Sequence, residues 1–375
     1  MNSVALPFCL RIIALLFLLR PASADAESLR LIGRSAFPDD LAIGKTKLGG
    51  LSGISYDAAT KSLWAVCDDS AYKGGPPRAY RLSLNTTAPL QPKIESVLIL
   101  RDEKGRPFPV ADSEGIACTG RGGIWVTSEG RSGKKGALPW LRLFSLDTGR
   151  TVRSLPVPKV YLPADAEGQI VPLESAAQVR GVLTNKSLES CTLSPDLRTV
   201  YIANETSLAQ EKARGEGAGG ASFFNGTQVR ISAIDTKSGR CVAQKLYVAD
   251  AGCLFGSVSD LSAQDDRGSL LVLERRVIRL QEGTGACGIR IYRVNLRQTD
   301  ATDLREIVSV RDSQVVGLTK TLVYDSQKEG LAELDNIEGI GLLPLSSGRT
   351  GLVAVSDDNF SKTQETQILL YELLR

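Results

Sequence analysis

The feature that most constrains this chain is a pattern that recurs five times: a short strand-like run, a turn, a strongly apolar strand-like run and then an acid. The copies pair residues 51–56 with 63–68, 113–117 with 124–129, 188–192 with 200–205, 259–263 with 270–274, and 337–341 with 352–357. Turn-forming residues separate the two runs of each copy, as in Arg121-Gly122-Gly123 and Asp265-Asp266-Arg267-Gly268, so every copy predicts a β-hairpin. A third run, mostly alternating apolar and polar, follows at 78–84, 140–146, 228–234, 289–294 and 367–373, and a fourth strand is expected near 94–100, 150–157, 242–248 and 304–310. A hairpin-based unit that cannot bury its apolar faces alone must stack on its own copies.

The expected fold is therefore all-β: a single-domain β-propeller of five four-stranded blades. A sixth blade stays open, because the connections 155–187 and 311–336 are long. The fifth unit runs out of chain before its fourth strand, and residues 28–33 can supply it, closing the ring without an exposed edge. Pro156, Pro158, Pro163 and Pro172 mark the first long connection as a loop, and the glycine-rich stretch 215–220 as another. Trp64 and Trp125 fall inside strands and read as core.

Residues 1–26 have the build of a secretory signal peptide: Arg11, an apolar run over 12–19, then small residues at Ala22, Ser23 and Ala24. The run is shorter than the roughly 20 residues that cross a bilayer, and no later segment is long and apolar enough to span one. A propeller domain over 27–375, secreted or periplasmic, is the expectation. Six cysteines would remain after cleavage, Cys67, Cys118, Cys191, Cys241, Cys253 and Cys287, an even number that suits an oxidising compartment. Several lie in apolar runs where a thiol packs as a small hydrophobe, so at most one or two bridges are expected.

Composition enters through an absence: the chain has no histidine. A Ser-His-Asp triad, a Cys-His dyad, histidine-bound zinc and a phosphohistidine intermediate all need an imidazole, so chemistry must rest on carboxylates, Lys, Tyr, Ser, Arg or a hard cation. With 45 basic and 42 acidic residues, and no block of like charge, nothing reads as a nucleic-acid arm; a small-molecule partner is expected.

The repeat also places the acids. In a propeller the innermost strand of each blade lines the axis, so one polar position per unit makes a ring. Aligned on their acids, the five inner strands put Ser52, Glu114, Glu189, Asp260 and Glu338 at one level. A second set ends the following strand: Asp68 with Asp69, Glu129, Glu205, Glu274, and Asp357 with Asp358. Clustered carboxylates repel unless cations, donors or protons compensate, and Ca²⁺ is the natural hard-oxygen cofactor, with Asp68, Glu114, Glu189, Asp260, Glu338 and Asp357 as its candidate ligands. Strand-end acids also lock neighbouring blades by accepting backbone N–H groups, which is the better reading for Glu129, Glu205 and Glu274.

The segments 50–56, 112–117, 189–195, 334–340 and 352–360 resemble the phytase-like propeller proteins described as having esterase-like activity of phytase, and the resemblance spans nearly all of the mature chain. It implies hydrolysis of a phosphate ester or ester. Glu114, Glu189, Asp260 and Glu338 are then the catalytic candidates, with Arg78, Arg275 or Lys320 pairing with the substrate's charge. The Gly-x-Ser-x-Gly elbow of common hydrolases is missing. The alternative is a non-enzymatic propeller that holds a small ligand, carbohydrate or protein.

Overall fold

Apolar β-branched and leucine runs too short for helices form strands throughout the computed structural model, and turn residues cut them at close intervals. The structure describes residues 27–375 apart from 71–72, 109–110, 134–135, 213–225, 282–283, 312–313 and 332–333, with backbone only over 278–281 and 284–286. The signal peptide assigned to residues 1–26 and the glycine-rich loop at 215–220 lie outside the described residues. Five four-stranded antiparallel sheets result.

From the axis outward, blade 1 is Leu51–Asp57, Ser62–Cys67, Arg78–Leu84 and Pro92–Ile99. Blade 2 is Ser113–Cys118, Gly123–Ser128, Trp140–Ser145 and Thr151–Leu155, and blade 3 is Leu188–Leu193, Thr199–Asn204, Gln228–Asp235 and Cys241–Val248. Blade 4 is Phe255–Ala263, Ser269–Gln281, Thr284–Asn295 and Thr321–Asp325. Blade 5 takes Ile337–Pro344, Thr350–Ser356 and Gln367–Leu374 from the end of the chain and its outer strand, Ser28–Ala36, from the start. Eight residue pairs, from Ser28 with Leu374 to Ala36 with Gln367, zip that closure. Glu372 fastens it further by accepting from Arg30 and Arg349. Each inner strand packs on the next, and the fifth on the first, so the ring closes at five.

The outer strand of blade 4 is not at 304–310. The carbonyls of Leu304, Ile307 and Val308 accept from the buried Arg230 guanidinium at 3.4, 2.8 and 3.1 Å, which takes them out of any ladder. Thr321–Asp325 fills the place instead. Among the described residues neither long connection builds a sixth blade: 155–187 folds irregularly around one 3₁₀ turn, Lys159–Tyr161, and sends Tyr161, Leu173 and Val182 into the core.

Five apolar wedges, one between each pair of successive blades, hold the ring together. Blades 1 and 2 share Val66, Ala79, Ile116, Ile124 and Val126, and blades 4 and 5 share Leu271, Leu273, Ile291, Leu352 and Leu369, all buried. Each of the valines, leucines and isoleucines among them contributes about 1.5–3 kcal/mol of burial. Trp64 and Trp125 lie in these wedges. Cys67, Cys118, Cys191, Cys241 and Cys253 carry free thiols, so the expected one or two bridges are not seen among them. Cys67 and Cys191 sit in wedges, where strand packing fixes them as small apolar groups.

Close to the axis every inner strand slips register once, at the same place. The slips fall between Leu51 and Gly53, Ser113 and Ile116, Leu188 and Ser190, Val258 and Asp260, and Ile337 and Gly339. A bulge frees one residue from the ladder and re-aims its side chain. Just beyond it stand Gly53, Gly115, Ser190, Asp260 and Gly339; at the three glycines neighbouring inner strands touch backbone to backbone, and Asp260 reaches blade 5 through its carboxylate. A Cβ on Gly115 would lie 2.2 Å from the backbone nitrogen of Cys191, and one on Gly53 2.5 Å from the Glu114 carbonyl oxygen. This waist divides the axis into a polar cleft and, on the other face, a pocket of about 410 Å³ lined by Tyr56, Leu193 and Leu342 among others. Among the described residues the two share no lining residue.

Candidate functional site

The strand register, rather than the acid pattern, sets which residues face the cleft. Cys67, Ser128, Asn204, Glu274 and Ser356 pair with equivalent inner-strand residues, so the next residue of each second strand, Asp68, Glu129, Glu205, Arg275 and Asp357, forms one tier. The bulge residues form the tier below, namely Ser52, Glu114, Glu189, Ser259 and Glu338. Asp112 and Asn336, which precede their inner strands, reach in from above.

The resulting cleft of about 480 Å³ is walled by Asp68, Asp69, Asp112, Glu114, Glu129, Glu189, Glu205, Glu338 and Asp357. Against these nine acids stand Lys73 and Arg275, the only Lys or Arg among its described lining residues. Three groups of carboxylates each bring their oxygens within 4.8 Å of one another: Asp68 with Glu114 and Glu338, Asp112 with Glu114 and Glu129, and Glu129 with Glu189 and Glu205. Glu114 and Glu129 each belong to two groups, so the acids form a continuous arc through blades 5, 1, 2 and 3. Hard oxygen donors at this spacing fit a divalent cation such as Ca²⁺.

Hydrogen bonding inside the arc is short of protons. Ser52 Oγ lies 2.5 Å from Glu114 Oε2 and 3.0 Å from Glu338 Oε2, yet a hydroxyl has one hydrogen to give. Glu129 accepts the Ser187 backbone N–H at 2.5 Å. Burial raises the Glu114 carboxyl well above the ordinary range, helped by Asp112 and Asp68, and raises Glu189, helped by Glu114 and Glu129. Burial and Glu205 push Glu129 up to about 8. Burial lifts Asp112 only to about 6, because Ser70 and Arg131 favour its charged form.

These shifts fix a pH dependence for the cation-free protein. Acids whose folded pKa lies above the unfolded value hold protons that the unfolded chain has released, so stability falls as pH rises between the two values, here from about pH 4 to about 8. The chain in EGTA should melt roughly 5 °C lower at about pH 8 than at about pH 5, and added Ca²⁺ should erase the difference. Scanning calorimetry at both pH values checks this; a melting temperature that rises with pH in EGTA would contradict it.

Of the residues expected to act, Glu114, Glu189, Glu338, Asp68, Asp357 and Arg275 line the cleft, and Asp260, Arg78 and Lys320 do not. Asp260 is wholly buried at the waist, where its carboxylate accepts the N–H groups of Ile340 in blade 5 and Leu261, both at 2.8 Å. Its place in the bulge tier is taken by Ser259. Arg78 is buried beneath the cleft wall, donating to Asp69 at 3.0 Å and to the Lys47 carbonyl. Lys320 pairs with Asp250 and Glu274 at 2.6 and 2.7 Å over the ring of Tyr292. Glu274 also accepts from Tyr247, so this acid braces the outside of the cleft. Glu129, read from the sequence as a blade lock, accepts the Ser187 backbone N–H of the next blade, whereas Glu205 accepts from the Arg275 side chain instead. They also face the cleft. Asp112 and Lys73 were missed, although Asp112 stands directly before an inner strand.

The difference between lock and ligand is measurable. Asp260→Asn turns one acceptor of a buried pair into a donor facing an N–H, and should cost about 1–3 kcal/mol of stability. Calcium affinity, read by titration calorimetry, should stay unchanged.

Fold and site together define a five-bladed propeller with an acid-walled axial cleft whose carboxylate groups could bind a metal ion. The chain belongs to the phytase-like family, described as esterase-like activity of phytase, whose model matches residues 46–360. No curated protein matches it in sequence. Among solved structures it is similar to a member of the duf4221 family from Bacteroides vulgatus, 10% identical over 93% of this chain and 98% of that one, with a TM-score of 0.41. It is also similar to Kuenenia stuttgartiensis hydrazine synthase, 11% identical over 90% and 99% of the two chains, with a TM-score of 0.36. Likenesses this low carry no argument.

Proposed function

We propose that the cleft binds Ca²⁺ and hydrolyses phosphate esters or esters of small molecules, in a protein exported by its first 26 residues. The observation that carries this reading is the sharing of Glu114 and Glu129 between adjacent carboxylate groups in a cleft that also presents a guanidinium. Asp68, Glu114, Glu338, Asp112, Glu129, Glu189 and Glu205 are the residues that would hold the cation. When bound, Ca²⁺ offsets the substrate's negative charge and acidifies water. Asn336 donates to Glu338 at 2.9 Å and so orients that acid. The waist shuts off the axis behind the site and limits the water that reaches it.

The test is turnover of phytate, p-nitrophenyl phosphate and p-nitrophenyl acetate by the purified protein with Ca²⁺ and with EGTA. Calcium-dependent release of product supports the reading. Calcium binding without turnover of any substrate would make the protein a binding module for a small ligand, carbohydrate or protein.

A further inference from the structure

One position breaks the acid tier. Asp68, Glu129, Glu205 and Asp357 are carboxylates, while blade 4 supplies Arg275. Its neighbours are the two ends of the acid arc. The guanidinium donates to Glu338 and to Asn336 Oδ1 through one Nη, and to Glu205 at 2.9 Å through the other. Those two acids are outer members of separate carboxylate groups, Glu338 with Asp68 and Glu114, Glu205 with Glu129 and Glu189. Arg275 Nε is buried and has no hydrogen-bond partner among the described residues. Lys73 sits instead at the cleft rim, donating to the Asn359 carbonyl at 3.2 Å.

We propose that Arg275 is the anion-binding residue of the cleft, and that cation binding at the two ends of the arc releases it to grip a phosphate group. The inference rests on the cation-binding reading above. A carboxylate oxygen facing a divalent cation gives up much of its bond to a guanidinium, and Arg275 cannot shed its charge. Once its acids turn to the cations, the guanidinium needs another anion, and a phosphate monoester matches its planar fork with two acceptor oxygens. Without cations the same guanidinium is occupied by Glu205 and Glu338, and the surrounding acids repel a phosphate. Cation and phosphate are thus coupled, each raising the affinity for the other.

Calorimetric titration with Ca²⁺ and equilibrium dialysis with micromolar radiolabelled phosphate test this on the purified chain. Wild type should retain phosphate with Ca²⁺ and none with EGTA, and acetate should not compete. Arg275→Gln removes the cation that competes for the arc, so it should bind Ca²⁺ about tenfold more tightly yet lose phosphate at least tenfold. Tighter calcium with weaker phosphate is a pairing that a merely structural arginine does not produce. Equal or weaker calcium binding in Arg275→Gln, or calcium-independent phosphate binding in wild type, would overturn the proposal while leaving the cation site standing. Failure of wild type to bind Ca²⁺ would remove both. If circular dichroism shows Arg275→Gln unfolded, Arg275→Lys decides: weaker phosphate with calcium binding retained supports the role, and unchanged phosphate binding ends it.

Discussion

Glu114→Gln is expected to cut calcium affinity and any calcium-dependent hydrolysis about a hundredfold or more, because one carboxylate serves two of the three acid groups. The substitution keeps shape and removes charge. Its second effect has the opposite sign from that of most buried substitutions: the cation-free variant should melt at or above wild type, since burial and the crowding by Asp112 and Asp68 oppose the charge of Glu114 until a cation arrives. Titration calorimetry and thermal melts on one preparation read both effects. Retained calcium binding would place the cation site elsewhere, and a large drop in the cation-free melting temperature would make Glu114 a structural acid.

Gly115→Ala should be a severely damaging single methyl at the waist. The added carbon would lie 2.2 Å from the Cys191 nitrogen and 2.4 Å from the Ser190 carbonyl carbon, both backbone atoms of the next blade, so relief requires prising two inner strands apart. A loss above about 3 kcal/mol, or failure to fold, is expected. Gly120→Ala is the matched control. Its φ of +62° is unfavourable for alanine, yet no atom lies within 4 Å of the new carbon, and about 1 kcal/mol is the expected cost. Urea unfolding distinguishes the two; equal costs would mean that blade packing at the waist is loose.

The fold was legible because the repeat supplied the same hairpin five times, and the completion of blade 5 by Ser28–Ala36 followed from a missing strand. The outer strand of blade 4 was not legible, since Arg230, far away in sequence, claims the carbonyls at 304–308. The site was half legible for a narrower reason. Matching copies by their acids put Asp260 and Glu274 in rings where the bulge register puts Ser259 and Arg275. Side chains alternate along a strand, so an error of one residue turns a ligand into a core group. Nothing in the local sequence around Val258 and Asp260 announces the bulge; its place is set by the inner strands on either side. Arg78 and Lys320 carry the right charge for a substrate, but burial and nearby acids decide where that charge is spent.

The glycine waist gives the axial site the form of a cup rather than a pipe. Whatever enters past Lys73 and Phe360 must leave by the same mouth, so under the proposed hydrolysis substrate and product would share one opening and a slow-leaving product would block the next turnover. Product inhibition should therefore be competitive, and bulky leaving groups should remain outside while the acidic floor handles only the group that fits.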